Sequence, residues 1–114
     1  KVSFANEMYQ ACSKLSQLGH DVSYNSVIEL ARLDKRLGDS HWQVPGPMPS
    51  DDTGQYAMGF SGSCFPKDMM ALIYLLKKID VDPKVLEGAW NKNLEVRPQR
   101  DWEKLKGRAV STDE

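Results

Sequence analysis

The chain has 114 residues, of which 40% are hydrophobic and 27% charged, and its 15 basic and 16 acidic side chains leave a formal net charge of −1. That length suits one domain with a modest core, and the balanced charge argues against general nucleic-acid or anionic-membrane binding. No apolar run approaches the roughly 20 residues of a membrane helix, and the two cysteines and two histidines stand at spacings that fit no disulfide framework and no zinc pattern. No metal is expected, and the simpler reading of the cysteines is two thiols in a reducing cytoplasm.

Residues 1–18 read as a helix. Phe4, Met8, Cys12 and Leu15 recur at its period, and Ala5, Ala11 and Leu18 widen the face. Gly19 is placed to end it. Cys12 reads as core packing, and Asn6 and Glu7 read as a solvated edge or, less often, an interface pair. No cap precedes the helix and no Met opens the chain, so the helix is expected to begin upstream of Lys1.

Ser23 or Ser26 can cap a second helix, Ser26 with Glu29 having capping-box spacing. Val27, Ile28, Leu30, Ala31 and Leu33 supply its apolar face. The helix is expected to stop near Leu37-Gly38, with Arg36 in its last turn as a cation favoured by the helix dipole. Residues 39–62 are punctuated by Pro45, Gly46, Pro47, Pro49, Gly54, Gly59 and Gly62, which excludes a long helix or a central strand. Loops of this length are often functional. His41 and Trp42 either pack this loop down or reach a ligand.

The loop ends in Gly59-Phe60-Ser61-Gly62-Ser63-Cys64-Phe65-Pro66-Lys67-Asp68. Pro66 suits a first helical position, and the third helix is expected over Pro66 to Ile79, about four turns. Cys64 then sits at or just before a helix N-terminus with Lys67 three residues on, and both features favour the reactive thiolate. Asp68 falls in the first turn, four residues from Cys64, in reach of a water or proton near the sulfur. The alternative is a glycine-rich loop with a buried, inert cysteine.

Asp82-Pro83 reads as an N-cap and N1 pair. The fourth helix that follows is expected to turn Val85, Leu86, Ala89, Trp90 and Leu94 inward and to end before Pro98. Asp101 can cap a last short turn carrying Trp102 and Leu105, Gly107 ends it, and Ser111 to Glu114 reads as a frayed tail. No strand alternation, internal repeat or low-complexity tract is present. The expected fold is all-α with a long irregular loop at the candidate active site.

The stretch Gly59 to Asp68 resembles the active-site signature of the UDP-glucose/GDP-mannose dehydrogenase family, Gly-Phe-Gly-Gly-Ser-Cys-Phe-x-Lys-Asp. It departs at Ser61, where glycine is commoner, a change that matters little at negative φ and more at positive φ. Val2-Ser3-Phe4-Ala5-Asn6-Glu7 is similar to the family's central-helix segment ending in Asn-Glu. Leu33-Asp34-Lys35-Arg36-Leu37-Gly38 resembles its Asp-x-Arg-Ile-Gly element, and Arg97 to Val110 resembles the exit from its central domain. The resemblance therefore spans nearly the whole chain.

It implies that residues 1–114 are a helical central dimerisation domain, 6-phosphogluconate-dehydrogenase C-terminal-like, from a longer cytoplasmic homodimer. The family oxidises a nucleotide sugar at C6 with NAD, first to the aldehyde and then, through a cysteine thiohemiacetal and thioester, to the carboxylate. By position Cys64 would be the nucleophile, Asp68 would orient or activate water, and Lys67 would support the local positive field. Gly59, Phe60, Ser61 and Gly62 would lie along the sugar and nucleotide. Arg36 matches an arginine that in the family reaches substrate across the dimer, which competes with the dipole explanation.

The chain has no GxGxxG with a following βαβ pattern, so NAD is expected to be bound mainly by a domain outside it, and the isolated chain is expected to be inactive. The family's catalytic Lys lies in a Lys-Leu-x-x-Asn segment upstream, and Lys1 does not take its role. UDP-glucose is the expected sugar, with GDP-mannose or a UDP-N-acetylhexosamine as alternatives. Two other classes compete. One is a non-catalytic helical dimerisation module in which Cys64 is ordinary. The other is a different cysteine-nucleophile enzyme with His20 or His41 as base.

Overall fold

In a computed structural model of the chain, residues 1–46, 56–62, 64–97, 100 and 102–103 are described. The architecture is all-α, as expected. Its helices are α1 (Val2–Gln17), α2 (Tyr24–Ala31), α3 (Cys64–Lys78) and α4 (Lys84–Val96), with a 3-10 turn at Lys35–Leu37. α1 packs against both α2 and α4, and α3 packs against α4. Among the described residues no strand forms; Tyr56 makes an isolated bridge, and the Gly46 N–H donates to the Ala57 carbonyl at 3.3 Å. None of the described helices is long and apolar enough to cross a membrane.

Local signals set several boundaries. Gly19 closes α1 with φ +96, and the Gly19 and His20 N–H groups cap the Ser16 and Leu15 carbonyls, each at 3.0 Å. Ser23 caps α2, its hydroxyl accepting from the Ser26 N–H at 3.2 Å. α4 stops at Val96, with Arg97 extended at φ −115 and ψ 99, the conformation that a following proline imposes.

Other boundaries differ from expectation. α2 ends at Ala31, not near Leu37. Asp34 turns its carboxylate onto the Arg36 N–H at 3.0 Å and starts a separate 3-10 turn. A short acidic side chain competes in this way for backbone donors that would otherwise continue a helix. Arg36 is therefore not in the last turn of α2, and the dipole of that helix does not explain it.

α3 begins at Cys64, two residues before Pro66. Proline is tolerated third in the helix because the first four N–H groups have no intrahelical acceptor. Asp68 consequently lies beyond the first turn. α4 takes Pro83, not Asp82, as its N-cap and has no side-chain cap. Asp82 instead pairs with Lys84 Nζ at 3.3 Å.

The apolar faces read from the sequence are only partly inside. Ala5, Cys12, Tyr24 and Trp42 form one buried cluster, with Met8, Tyr9, Val22, Ile28 and Val44 against it. Cys12 is core packing, as expected, and Trp42 packs the loop down. The Tyr24 hydroxyl donates to the Trp42 carbonyl, the Trp42 indole N–H donates to the Gly38 carbonyl at 3.0 Å, and the Lys1 ammonium stands 4.8 Å from the Trp42 ring centroid. A second aromatic row runs Phe65, Phe60, Trp90, Trp102, with successive centroids 5.3, 6.0 and 5.5 Å apart.

Phe4 and Leu15 on α1, Leu18 at its C-cap, Val27 and Leu30 on α2, Leu33 just beyond it, and Val85 on α4 are exposed instead. No second layer of described residues covers those faces. Asn6, read with Glu7 as a solvated edge or an interface pair, is buried, while Glu7 is exposed and pairs with Lys92 at 3.6 Å. The expected roles of Pro47, Pro49, Gly54, Ser63, Asp101, Leu105, Gly107 and the tail from Ser111 lie outside the described residues, as does most of Arg97 to Val110.

Candidate functional site

The segment before α3 is rich in small residues, so its backbone has wide intrinsic freedom. Gly59 and Gly62 both take left-handed φ, +79 and +88. Ser61 does not: among the described non-glycine residues, His41 and Asp80 alone have positive φ. Serine therefore replaces glycine at position 61 without backbone strain.

Three polar side chains hold this segment down. Asn6 on α1 accepts from the Gly59 N–H at 3.3 Å and donates to the Val2 carbonyl at 2.6 Å. Arg97, just past α4, donates from Nη1 to the Met58 carbonyl at 3.2 Å. Asn93 on α4 makes the tightest hold. Its Oδ1 accepts from the Phe60 N–H at 2.7 Å and its Nδ2 donates to the Phe60 carbonyl at 3.0 Å. Asn93 is 0% exposed. A buried amide is tolerated when its donor and acceptor are used, since each orphaned group costs about 1–3 kcal/mol.

Gly59 fits against this amide. A Cβ there would collide with Asn93 Oδ1 and stand 3.3 Å from both Arg97 Cβ and Val96 Cγ2. At Gly62 a Cβ would meet nothing within 4 Å. Glycine is needed at 59 for space as well as conformation, and at 62 for conformation alone.

Cys64 is exposed and Cys12 buried. Cys64 is the first residue of α3, so the Cys64 side chain and that of Asp68, four residues on, lie one above the other on the helix surface. Lys67 and Asp68 are both exposed and face each other at 3.8 Å, a surface pairing that contributes little to stability.

A cleft of about 550 Å³ opens beside the loop, lined among others by Asn6, His41, Gly59, Phe60, Ser61 and Arg97. Of the residues chosen from the sequence, Gly59, Phe60 and Ser61 line it. Gly62, Cys64, Lys67, Asp68 and Arg36 do not. His41 lies at the cleft with its ring 6.5 Å from that of Phe65. The described residues hold no group of three His, Cys, Asp or Glu side chains able to bind a metal ion.

Arg36 stands apart from the cleft. Its guanidinium forks onto Asp34, Nε to Oδ1 at 3.0 Å and Nη2 to Oδ2 at 2.7 Å, with its own side chain 90% exposed. The hydrogen bonds from Arg36 hold the Asp34 carboxyl below its usual range, and Asp34 raises Arg36 in return. Lys92 ties α4 to α1 through Gln10 at 3.1 Å and Glu7, and Glu95 is the main cause of its raised ammonium value.

Asn93, Arg97 and Asn6 are the site residues that the sequence reading missed. Asn93 carried a signal: it falls three and four residues after Trp90 and Ala89, on the stripe expected to face inward. A polar residue on an inward stripe needs partners, and these proved to be the Phe60 peptide groups.

A sequence model described as UDP-glucose/GDP-mannose dehydrogenase family, central domain, matches residues 1–95. The UDP-glucose 6-dehydrogenase of Rickettsia bellii is 36% identical over 95 residues, covering 83% of this chain and 18% of its own length. That of Rickettsia typhi is 34% identical over 98 residues, covering 86% and 18%. The UDP-glucose 6-dehydrogenase TuaD of Bacillus subtilis is 31% identical over 97 residues, covering 85% and 17%. The chain thus spans under a fifth of the length of these curated relatives. No solved structure matches it significantly.

Proposed function

The chain belongs to the UDP-glucose/GDP-mannose dehydrogenase family, and from that premise we propose that it is the central part of an NAD-dependent enzyme oxidising the C6 hydroxyl of UDP-glucose, or a related nucleotide sugar, to the carboxylate. The observation that carries the reading is Cys64, an exposed thiol on the first residue of α3, directly after a loop whose backbone is held at Met58, Gly59 and Phe60.

NAD, when bound, accepts the hydrides. The described residues contain no strand, glycine-rich turn and helix to cradle its pyrophosphate, so none is assigned to it. The rest of a protein of the relatives' length has room for that role.

The work of this chain is covalent capture. The Cys64 thiolate adds to the C6 aldehyde, forming a C–S bond while the carbonyl oxygen takes up a proton. After the second oxidation the carbon is a thioester. Water adds to it, the C–S bond breaks, and the carboxylate leaves with the thiol regenerated. Asp68, one turn from Cys64, orients that water. Lys67 supports the negative charge that develops there.

Gly59, Phe60, Ser61 and Gly62 lie along the sugar and nucleotide, three of them at the cleft. Arg36 reaches substrate bound to a second copy by leaving its fork with Asp34. The homodimer uses the exposed apolar faces, which include Phe4, Leu15, Leu18 and Leu30, and the enzyme works in the cytoplasm with its thiols reduced.

The test uses the full-length gene product. The parent should form two NADH per UDP-glucose, and Cys64→Ser should lose or stall that turnover. No NADH with UDP-glucose, GDP-mannose or N-acetylated sugars would overturn the reading and leave a helical dimerisation module.

A further inference from the structure

Asn93 is fully buried on α4, where a leucine would pack without needing partners. Both ends of its amide instead serve one residue, taking the N–H and the carbonyl of Phe60. Gly59 completes the fit, because the Cβ it lacks would collide with Asn93 Oδ1. Phe60 lies four residues before Cys64, with small residues between them. A clamp on both polar groups of that residue therefore fixes the backbone four residues before the thiol.

We propose that Asn93 is a positioning residue for Cys64, an inference that rests on Cys64 being the nucleophile. The carboxamide sets the path of the backbone into α3 and so where the sulfur meets the substrate carbon. Asn93 itself touches neither. Displacing a reacting group by about 1 Å can cost on the order of a hundredfold in rate, so the hold on Phe60 is an effect on chemistry and not only on stability.

The experiment compares Asn93→Asp, Asn93→Leu and Asn91→Asp in the full-length protein. Asn93→Asp keeps size and the acceptor for the Phe60 N–H but loses the donor to the Phe60 carbonyl. Asn93→Leu loses both. Asn91 is exposed on the same helix and controls for charge. With the clamp broken, kcat should fall about ten- to a hundredfold, a larger change than any rise in KM for UDP-glucose that follows from moving Phe60 at the cleft. Asn91→Asp should match the parent.

Iodoacetamide gives a second readout. Loss of the clamp should change the alkylation rate of Cys64 and leave buried Cys12 at its parent rate. Parent-like kcat in both Asn93 variants would overturn the proposal. So would acceleration of both cysteines together, which is general loosening. If Asn93→Leu does not fold, Asn93→Asp, which keeps the size and the acceptor for the Phe60 N–H, decides. If the parent forms no NADH with any sugar, the reading of function has failed, and an unchanged Cys64 alkylation rate in the variants would separately overturn the clamp.

Discussion

The side chain that Gly59 lacks would occupy the space taken by the carboxamide oxygen of Asn93. The two residues are 34 positions apart, and neither explains itself alone. Asn93 needs the Phe60 peptide groups, and that peptide comes within reach because Gly59 can turn with φ +79 directly before it.

Gly59→Ala should therefore be the more damaging of two similar changes. It adds about 1–2 kcal/mol of left-handed strain and forces Asn93 off Phe60, orphaning buried polar groups at about 1–3 kcal/mol each. Gly62→Ala brings the strain without the collision. Urea denaturation followed by tryptophan fluorescence should show a loss about twice as large or more for Gly59→Ala. Equal losses would mean that the collision is relieved at no cost.

Tyr24 gives a prediction at alkaline pH. Burial, and secondarily Cys12, raise its phenol above 10.0. The folded state thus keeps the proton that the unfolded chain gives up near pH 10. The stability that this adds is fully present below the unfolded value and is lost as pH rises through the folded one. Unfolding free energy should decline above about pH 10, and Tyr24→Phe should flatten that part of the decline. An unchanged slope in the variant would show that other groups cause it.

The Asp34–Arg36 fork titrates in the opposite sense. Arg36 depresses the folded carboxyl value, so the contribution is present above the ordinary carboxylate range and is lost as pH falls through the lowered value. Carboxyl NMR titration should find Asp34 below the ordinary carboxylate range, and Arg36→Ala should return it upward. The same variant tests Arg36 as a substrate ligand across a dimer, where KM for UDP-glucose should rise while the Cys64 alkylation rate stays put.

By itself the sequence determined the all-α class, the four helices, the end of α1 at Gly19, the Ser23 cap, the stop before Pro98 and the place of Cys64 at a helix start. These follow from rules that act within one turn: a glycine that adopts positive φ, a hydroxyl that accepts a nearby N–H, a proline that constrains its predecessor. The motif around Cys64 was legible for the same reason, being continuous in the chain.

Tertiary structure decided the rest. It left Phe4, Leu30 and Val85 outside and brought Asn6 and Asn93 inside. The hydrogen bonds that make those amides tolerable reach partners 53 and 33 positions away. Periodicity states which residues share a face of a helix. It does not state which face another element covers, or whether a buried polar group will find its donor and acceptor, because both depend on contacts made only when distant segments meet.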